Sequence, residues 1–285
     1  MGDTRRSVPE APEGVDTEKP SVARIYDWYL GGGENWAIDR EFGKRAVEMF
    51  PHIKELARQN RAFLGRLVKA AMDAGIRQFL DLGSGVPTVG NVHELVREHL
   101  PRGERATVVY VDYEPVAAAH ATVLLERDDS TGWAGLVQAD LRAPDTVLGH
   151  RITKRLIDFR QPVCLLMIAV LHFVGGDEDP AEIVARYRDR LAPGSWLGLS
   201  HITDENASAE DAAAVREVAE NYQRTSNPLW LRGSSDLEPW FGGWPLLEPG
   251  LVTLADWRSD EPLTPAGRRA QPFGLCGVAE RPSVS

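Results

Sequence analysis

Three aspartates stand at the ends of three short apolar runs: Asp81 in Gln78-Phe79-Leu80-Asp81-Leu82-Gly83, Asp112 closing Thr107-Val108-Val109-Tyr110-Val111-Asp112, and Asp140 just after Trp133–Ala139. An ionised carboxylate only accepts hydrogen bonds, so a carboxylate at each strand end can meet a different donor on one ligand. Gly83 and Gly85 follow Asp81 as Gly83-Ser84-Gly85, a turn that tolerates positive φ and lets a ligand approach the backbone. A dinucleotide loop would carry a third glycine where Thr88 stands, after Pro87. Asp81, two residues before the first glycine, would repel a bound pyrophosphate and suit a cation, which favours a nucleoside bearing an amino acid. Asp112 is placed to accept both ribose hydroxyls, Asp140 to accept from an exocyclic adenine amine, and Leu141 to pack on the ring. A turn or helix-cap carboxylate would occupy any one of these places equally well; the ordered series is what points to a ligand.

Two histidines fall where a sheet opens onto substrate. His172 follows the apolar run from Val163, and His201 closes the run from Ser195, so either is a candidate general base, with a purely structural role as the alternative. His93 opens His93-Glu94-Leu95-Val96-Arg97, but the zinc-protease pattern needs a histidine where Arg97 stands. No serine-nucleophile elbow or phosphate loop is present, and no metal ligand set is expected. Cys164 and Cys276 sit inside apolar runs and read as buried free thiols.

The elements that must position these residues follow from periodicity. Five apolar runs begin at Gln78, Thr107, Trp133, Val163 and Ser195, with helical stretches at 89–100, 115–126 and 179–191, and a further helix from Ser208. That alternation predicts a doubly wound α/β sheet with its ligand at the C-terminal strand ends. Two late runs, 245–254 and 273–280, read as closing strands. Ahead of the sheet, Asn35 is the predicted N-cap of a helix burying Ile38, Phe42, Ala46 and Met49, and a second helix buries Leu56, Phe63, Leu67, Ala71 and Met72 before stopping at Gly75.

The 285 residues are 43% hydrophobic and 26% charged, the composition of a folded domain. Asp and Glu number 42 against 32 Lys and Arg, a net charge of −10 that disfavours nucleic acid and anionic membrane surfaces as partners. The first 20 or so residues hold charge, Pro and Gly without an apolar core, so a disordered tail is expected there, with no leader or membrane span, and a cytoplasmic location.

Joined together, these motifs resemble the class I S-adenosylmethionine-dependent methyltransferases. More narrowly, the chain is similar to an S-adenosyl methyltransferase family common in actinobacteria and formerly counted among domains of unknown function. The likeness runs through SVARIYDWYLGGGENWAIDRE, NRAFLGRLVKAAMDAGIRQFLDLGSGVPTVGNVHE, VVYVDYEPVAAAHA, VLHFV and LVTLADWR, nearly the whole chain beyond Pro20. The resemblance implies a seven-stranded, mostly parallel Rossmann-like sheet whose last strand is antiparallel. It also implies S-adenosyl-L-methionine as cofactor, with Asp81, Gly83 and Gly85 at its methionine part, Asp112 at ribose and Asp140 at adenine. Val86-Pro87 departs from the wider class, where a third small residue follows, and the narrower family shares that departure.

Within this frame Tyr26 could close over the cofactor's sulfonium from a glycine-hinged lid, the alternative being a helix ending at Gly31 with Ile25, Trp28 and Tyr29 as core. Arg61 could meet the cofactor's carboxylate at two points, or remain a solvated helix residue. The expected organisation is a tail (1–20), an N-terminal helical cap (21–75) and a methyltransferase domain (76–285) with a Trp-rich insertion near 205–245. The expected activity is methyl transfer to a small-molecule acceptor at O, N or C, of the secondary-metabolite kind. Two other readings stay open: a non-catalytic sensor of S-adenosylmethionine or S-adenosylhomocysteine, and an NAD-dependent oxidoreductase, which Asp81 and Thr88 disfavour.

Overall fold

Segments rich in β-branched and leucine residues between glycine turns become strands, and the stripes of spacing three and four become helices. The computed structural model describes residues 18–87, 90–223 and 227–283; the tail before residue 18 and Thr88 of the glycine turn lie outside the described residues. Three helices, α1 (Val22–Tyr29), α2 (Ala37–Met49) and α3 (Ile53–Asp73), precede the first strand. Then β1 (Gln78–Leu82), α4 (Val92–His99), β2 (Thr107–Asp112), α5 (Pro115–Arg127) and β3 (Ala134–Gln138) alternate. After two short helices, α6 (Pro144–Gly149) and α7 (Arg151–Leu156), come β4 (Cys164–Ile168), α8 (Pro180–Arg188), β5 (Trp196–Ile202) and α9 (Ala209–Tyr222). The chain closes with α10 (Ser234–Leu237), β6 (Val252–Thr253), α11 (Pro265–Ala270) and β7 (Gly274–Glu280).

The strands form one seven-stranded sheet in the order β3-β2-β1-β4-β5-β7-β6. The first five are parallel, and β7 runs antiparallel between β5 and β6. Alternation along each strand feeds two cores: Phe79, Cys164 and Leu166 pack under α1, α3, α4 and α9, while Leu80, Leu165 and Met167 pack under α6, α7 and α8. Both cysteines are buried free thiols. No helix among the described residues is long and apolar enough to cross a membrane.

The second predicted helix holds as drawn, with Gly75 at φ +89° ending it. The first needs correction. Its N-cap is Trp36, not Asn35, and of the predicted face only Ala46 is buried; Ile38, Phe42 and Met49 are half-buried, and Asp39 and Gly43 are buried beside Ala46. The reason is a polar clasp. Asp39 accepts from the N–H groups of Ser21 and Trp36, at 3.0 and 2.9 Å, and from Arg24 Nε at 2.7 Å, with Arg24 only 2% exposed. Asn35 instead donates to Asp27 Oδ2 at 2.7 Å and the Gly32 carbonyl at 3.0 Å, tying the glycine loop back onto α1. Helices α6 and α7 were not foreseen, because each is six residues long and one turn-and-a-half shows too little periodicity to read.

Candidate active site

The turn after β1 takes its shape from two glycines. Gly83 and Gly85 sit at φ +71° and +67°, and a Cβ on Gly83 would lie 2.1 Å from a Val170 methyl, so the turn is set by sterics as well as by backbone conformation. The N–H groups of Gly83 and Ser84 both donate to the Val111 carbonyl, at 2.8 and 3.1 Å, which locks the turn against β2. Gly85 N–H donates to Asp112 Oδ2 at 2.7 Å and Glu114 N–H to Asp112 Oδ1 at 2.9 Å. Each carboxylate oxygen of Asp112 thereby keeps one lone pair open. Burial pushes its carboxyl up to about 6 despite those two donors and the Tyr113 N–H.

Asp81 is 6% exposed, and its carboxylate takes no hydrogen bond from a described residue. Burial pushes it up to about 7, opposed by the Arg61 guanidinium and reinforced by Asp112. A buried carboxylate without a donor is costly alone and is relieved by a cationic ligand. Ser84 Oγ, also buried, lacks a partner among the described residues. An orphaned acceptor, a carboxylate with two open lone pairs and a backbone cradle together fit a ligand bearing an ammonium group and a diol.

Tyr26 and Arg61 meet at the same place, with the guanidinium 6.0 Å from the Tyr26 ring centre. Sequence reasoning missed the residue that fixes them. Asn60 donates to Tyr26 Oη at 2.9 Å and accepts from Ser200 Oγ at 2.5 Å, while Tyr26 donates to the Ala57 carbonyl at 3.2 Å. Ser200 in turn accepts from the N–H of Ala169, whose φ of +53° is strained for a residue with a Cβ. One chain of hydrogen bonds thus ties α1 to α3, β5 and the end of β4.

Asp140 stands differently from the other two aspartates. Arg142 Nε donates to both of its oxygens, at 2.9 and 2.8 Å, and the Arg142 N–H adds a third bond at 2.8 Å. Partial burial would raise its carboxyl, but those bonds overcome it and hold the group below its usual range. The donor that the sequence assigned to a ligand amine is therefore supplied within the protein. Arg142 also reaches Glu178 at 3.1 Å. Leu141 is buried and lines the same cavity, its carbonyl accepting from Tyr187 Oη at 2.8 Å.

His172 lies on a single 3-10 turn, Leu171–Phe173, beyond β4, and His201 lies one residue inside the end of β5. Their rings meet edge to face, with centres 5.5 Å apart. Burial pushes His201 down to about 3, and its Nδ1 faces the Ile202 carbonyl at 2.7 Å while Nε2 faces Arg232 at 3.2 Å. It is a neutral ring with both nitrogens engaged. Burial, with His201 and Arg232 adding to it, holds His172 well below its usual range, and its Nδ1 has no partner among the described residues. Arg232 clasps the turn on both sides of His172, donating to the Leu171 and Val174 carbonyls at 3.1 and 2.7 Å, and Trp230 N–H donates to the His172 carbonyl at 2.9 Å. Of the three tryptophans in the late segment only Trp230 lines the cavity; Trp240 is buried in the core, where Trp244 packs against it. The remaining histidine cluster is apart from this site: His93 Nδ1 pairs with Tyr110 Oη at 2.7 Å, and its Nε2 lies 3.5 Å from Asp128, itself flanked by Arg97 and Arg127.

A single cavity of about 620 Å³ gathers Tyr26, Arg61, Asp81, Gly83, Gly85, Asp112, Asp140, Leu141, His172 and His201. Comparison with known proteins gives the family and the fold. Residues 9–282 match the family model described as S-adenosyl methyltransferase. The crystal structure of a candidate methyltransferase from Thermobifida fusca YX is similar at 36% identity and a TM-score of 0.86, over 95% of this chain and 98% of that one. A DUF574 family protein from Streptomyces avermitilis MA-4680 is similar at 34% identity and a TM-score of 0.85, over 94% and 99%. An O-methyltransferase family protein from Burkholderia thailandensis, at 15% identity and a TM-score of 0.52 over 82% of this chain and 60% of that one, shares the fold. No curated protein matches. The chain belongs to the S-adenosyl methyltransferase family, an enzyme family whose methyl donor is S-adenosyl-L-methionine.

Proposed function

We propose that the cavity serves methyl transfer from S-adenosyl-L-methionine to a small-molecule acceptor at an oxygen, nitrogen or carbon atom. The observation that carries this reading is the buried Asp81, which takes no hydrogen bond from a described residue, beside Asp112 and the left-handed glycines, at one end of a cavity whose other end holds two neutral histidines. When bound, the cofactor supplies a methyl group already activated by its sulfonium, so the protein's task is alignment in a dry site. Asp81 ionises against the ligand's ammonium, and Arg61 receives its carboxylate. Asp112, its inner lone pairs fixed by Gly85 and Glu114, turns the outer ones to the ribose hydroxyls. Gly83 and Gly85 let the backbone come close, and Leu141 packs on the base. Asp140 contributes through Arg142 unless the adenine amine displaces that side chain. Tyr26, on the capping helices, presents its ring to the sulfonium, an attraction of about 0.5–2 kcal/mol. His172 accepts a proton from an acceptor that must lose one, and His201 orients it.

Calorimetry with the purified protein tests this. Binding of S-adenosylmethionine and S-adenosylhomocysteine in the micromolar range, with none for NAD, is the expected result. Binding of NAD alone would give the site to a nicotinamide cofactor, and binding of none would leave the strand-end aspartates as structural groups.

A further inference from the structure

The cavity is divided by charge. Toward β1, β2 and the end of β3 its wall carries Asp81, Asp112, Glu114 and Asp140 with Arg61 and Arg142, and Asp177 and Glu178 join that side through the Arg142–Glu178 ion pair. Toward β5 and β7 the wall is Ile53 and Leu56 of α3, Val218 and Tyr222 of α9, Leu254 and Gly274. No Asp, Glu, Lys or Arg among the described residues lines this second part.

Its polar groups are already engaged. Ser200 and Asn60 bond to each other and onward to Ala169 and Tyr26, Tyr29 and Tyr222 face each other at 3.4 Å between hydroxyls, and both nitrogens of His201 are held. Val218, Leu254 and Tyr222 line the cavity while only 1%, 2% and 4% exposed, so they belong to close-packed core that backs this part with an apolar wall. An anion entering it would lose its hydration with no cation to replace it, and the neutral His201 offers none. An apolar guest loses nothing of the kind and gains by leaving water.

We propose that the methyl acceptor is an uncharged, predominantly apolar molecule that lies against this wall of the cavity with its one nucleophilic group turned toward His172, and that carboxylates and phosphates are excluded. This rests on the reading that the cofactor fills the charged half. The test compares two probes of one ring system, 2-naphthol and 2-naphthoate, titrated by ligand-observed NMR into wild-type protein saturated with S-adenosylhomocysteine. The neutral probe is expected to bind at least tenfold more tightly. Equal or tighter binding of the carboxylate would overturn the proposal, since a cation would then have to reach this wall, and so would absence of naphthol binding to protein that holds S-adenosylhomocysteine. Val218→Phe, or Leu56→Phe from the opposite wall if the first does not fold, should weaken naphthol at least tenfold and leave S-adenosylhomocysteine within threefold. Unchanged naphthol binding in a folded variant would put the probe elsewhere and sink the idea. Failure of the wild type to bind S-adenosylhomocysteine would bring down the cofactor reading instead, so the two failures are told apart.

Discussion

The two halves of the sheet edge solve opposite problems. Over β1 and β2 the protein buries carboxylates at a cost: Asp81 takes no hydrogen bond from a described residue and is opposed only by the Arg61 charge, and burial lifts both Asp81 and Asp112 toward neutrality. Over β5 and β7 the polar atoms of Ser200, Asn60 and His201 are satisfied by the protein, His172 Nδ1 alone of those discussed lacks a partner among the described residues, and both histidines are held neutral beside apolar walls. The first half is strained until filled; the second is relaxed while empty. On the proposed reading, binding energy comes from the charged half and selectivity from the neutral one, since a satisfied apolar wall rejects what it cannot pair.

Substitutions should separate the halves. The largest effect is expected at His172: His172→Gln should lower turnover of a proton-bearing acceptor by about 10²–10⁴-fold and leave S-adenosylhomocysteine affinity unchanged, because the backbone clasp from Trp230 and Arg232 does not involve its ring. A matching loss of cofactor affinity, seen by calorimetry, would merge the two halves into one. Next comes Asp112→Ala, which should weaken S-adenosylmethionine and S-adenosylhomocysteine by about 100-fold, the worth of two charge-assisted hydrogen bonds, with circular dichroism and melting little changed. Arg232→Ala should act in the reverse manner, costing about 2 kcal/mol of stability in urea unfolding as the Leu171 and Val174 carbonyls and His201 lose their donor, while cofactor affinity stays within threefold.

The smallest effect concerns protons. The free Asp81, facing Arg61 and Asp112, is mainly protonated below about 7, and a cation binds only its ionised form. Cofactor affinity should therefore rise with pH between 5.5 and 7.5 by about tenfold, with on the order of one proton released on binding near pH 6. Calorimetry in buffers of differing ionisation enthalpy reads that proton directly. Asp81→Asn should flatten the pH dependence and weaken binding by about tenfold at pH 7.5. A wild-type profile that falls with rising pH in this window would contradict the pairing.

The charged half was legible because its residues are contiguous with strong patterns. Asp81 and Asp112 each sit at the end of an apolar strand, and Asp81 stands just before a glycine turn whose spacing carries its own meaning. The neutral half was not, because its wall comes from places far apart in the chain. Leu56, Val218 and Tyr222 belong to helical stripes and read as ordinary core, Leu254 and Gly274 belong to late strand segments, and only the packing of α3 and α9 over β5 brings them around a cavity. Asn60 was passed over beside the more conspicuous Arg61, since nothing in a helix sequence says which of two neighbours turns to Ser200. Asp140 shows the converse. The sequence placed it correctly at the end of β3, but the partner two residues on, Arg142, is a competitor for it that strand-end reasoning does not weigh. In the N-terminal part the alternative of a helix ending at Gly31 is met by α1, which stops at Tyr29 with Ile25 and Tyr29 buried and Trp28 half-buried, and the error over Asn35 arose because a buried Arg24–Asp39 pair, not an apolar stripe, anchors α2.

The place of β7 has a further consequence for how the molecule comes into being. It follows every other strand in the chain yet lies inside the sheet, hydrogen-bonded to β5 on one side and β6 on the other, with Cys276, Val278 and Ala279 wholly buried. During synthesis the ribosome delivers β1 to β4, and with them the glycine turn and its aspartates, more than a hundred residues before β7. A nascent chain thus carries the proposed nucleoside edge before β5 has its β7 partner, and that open flank is the surface a chaperone would need to shield until the final strand slides in.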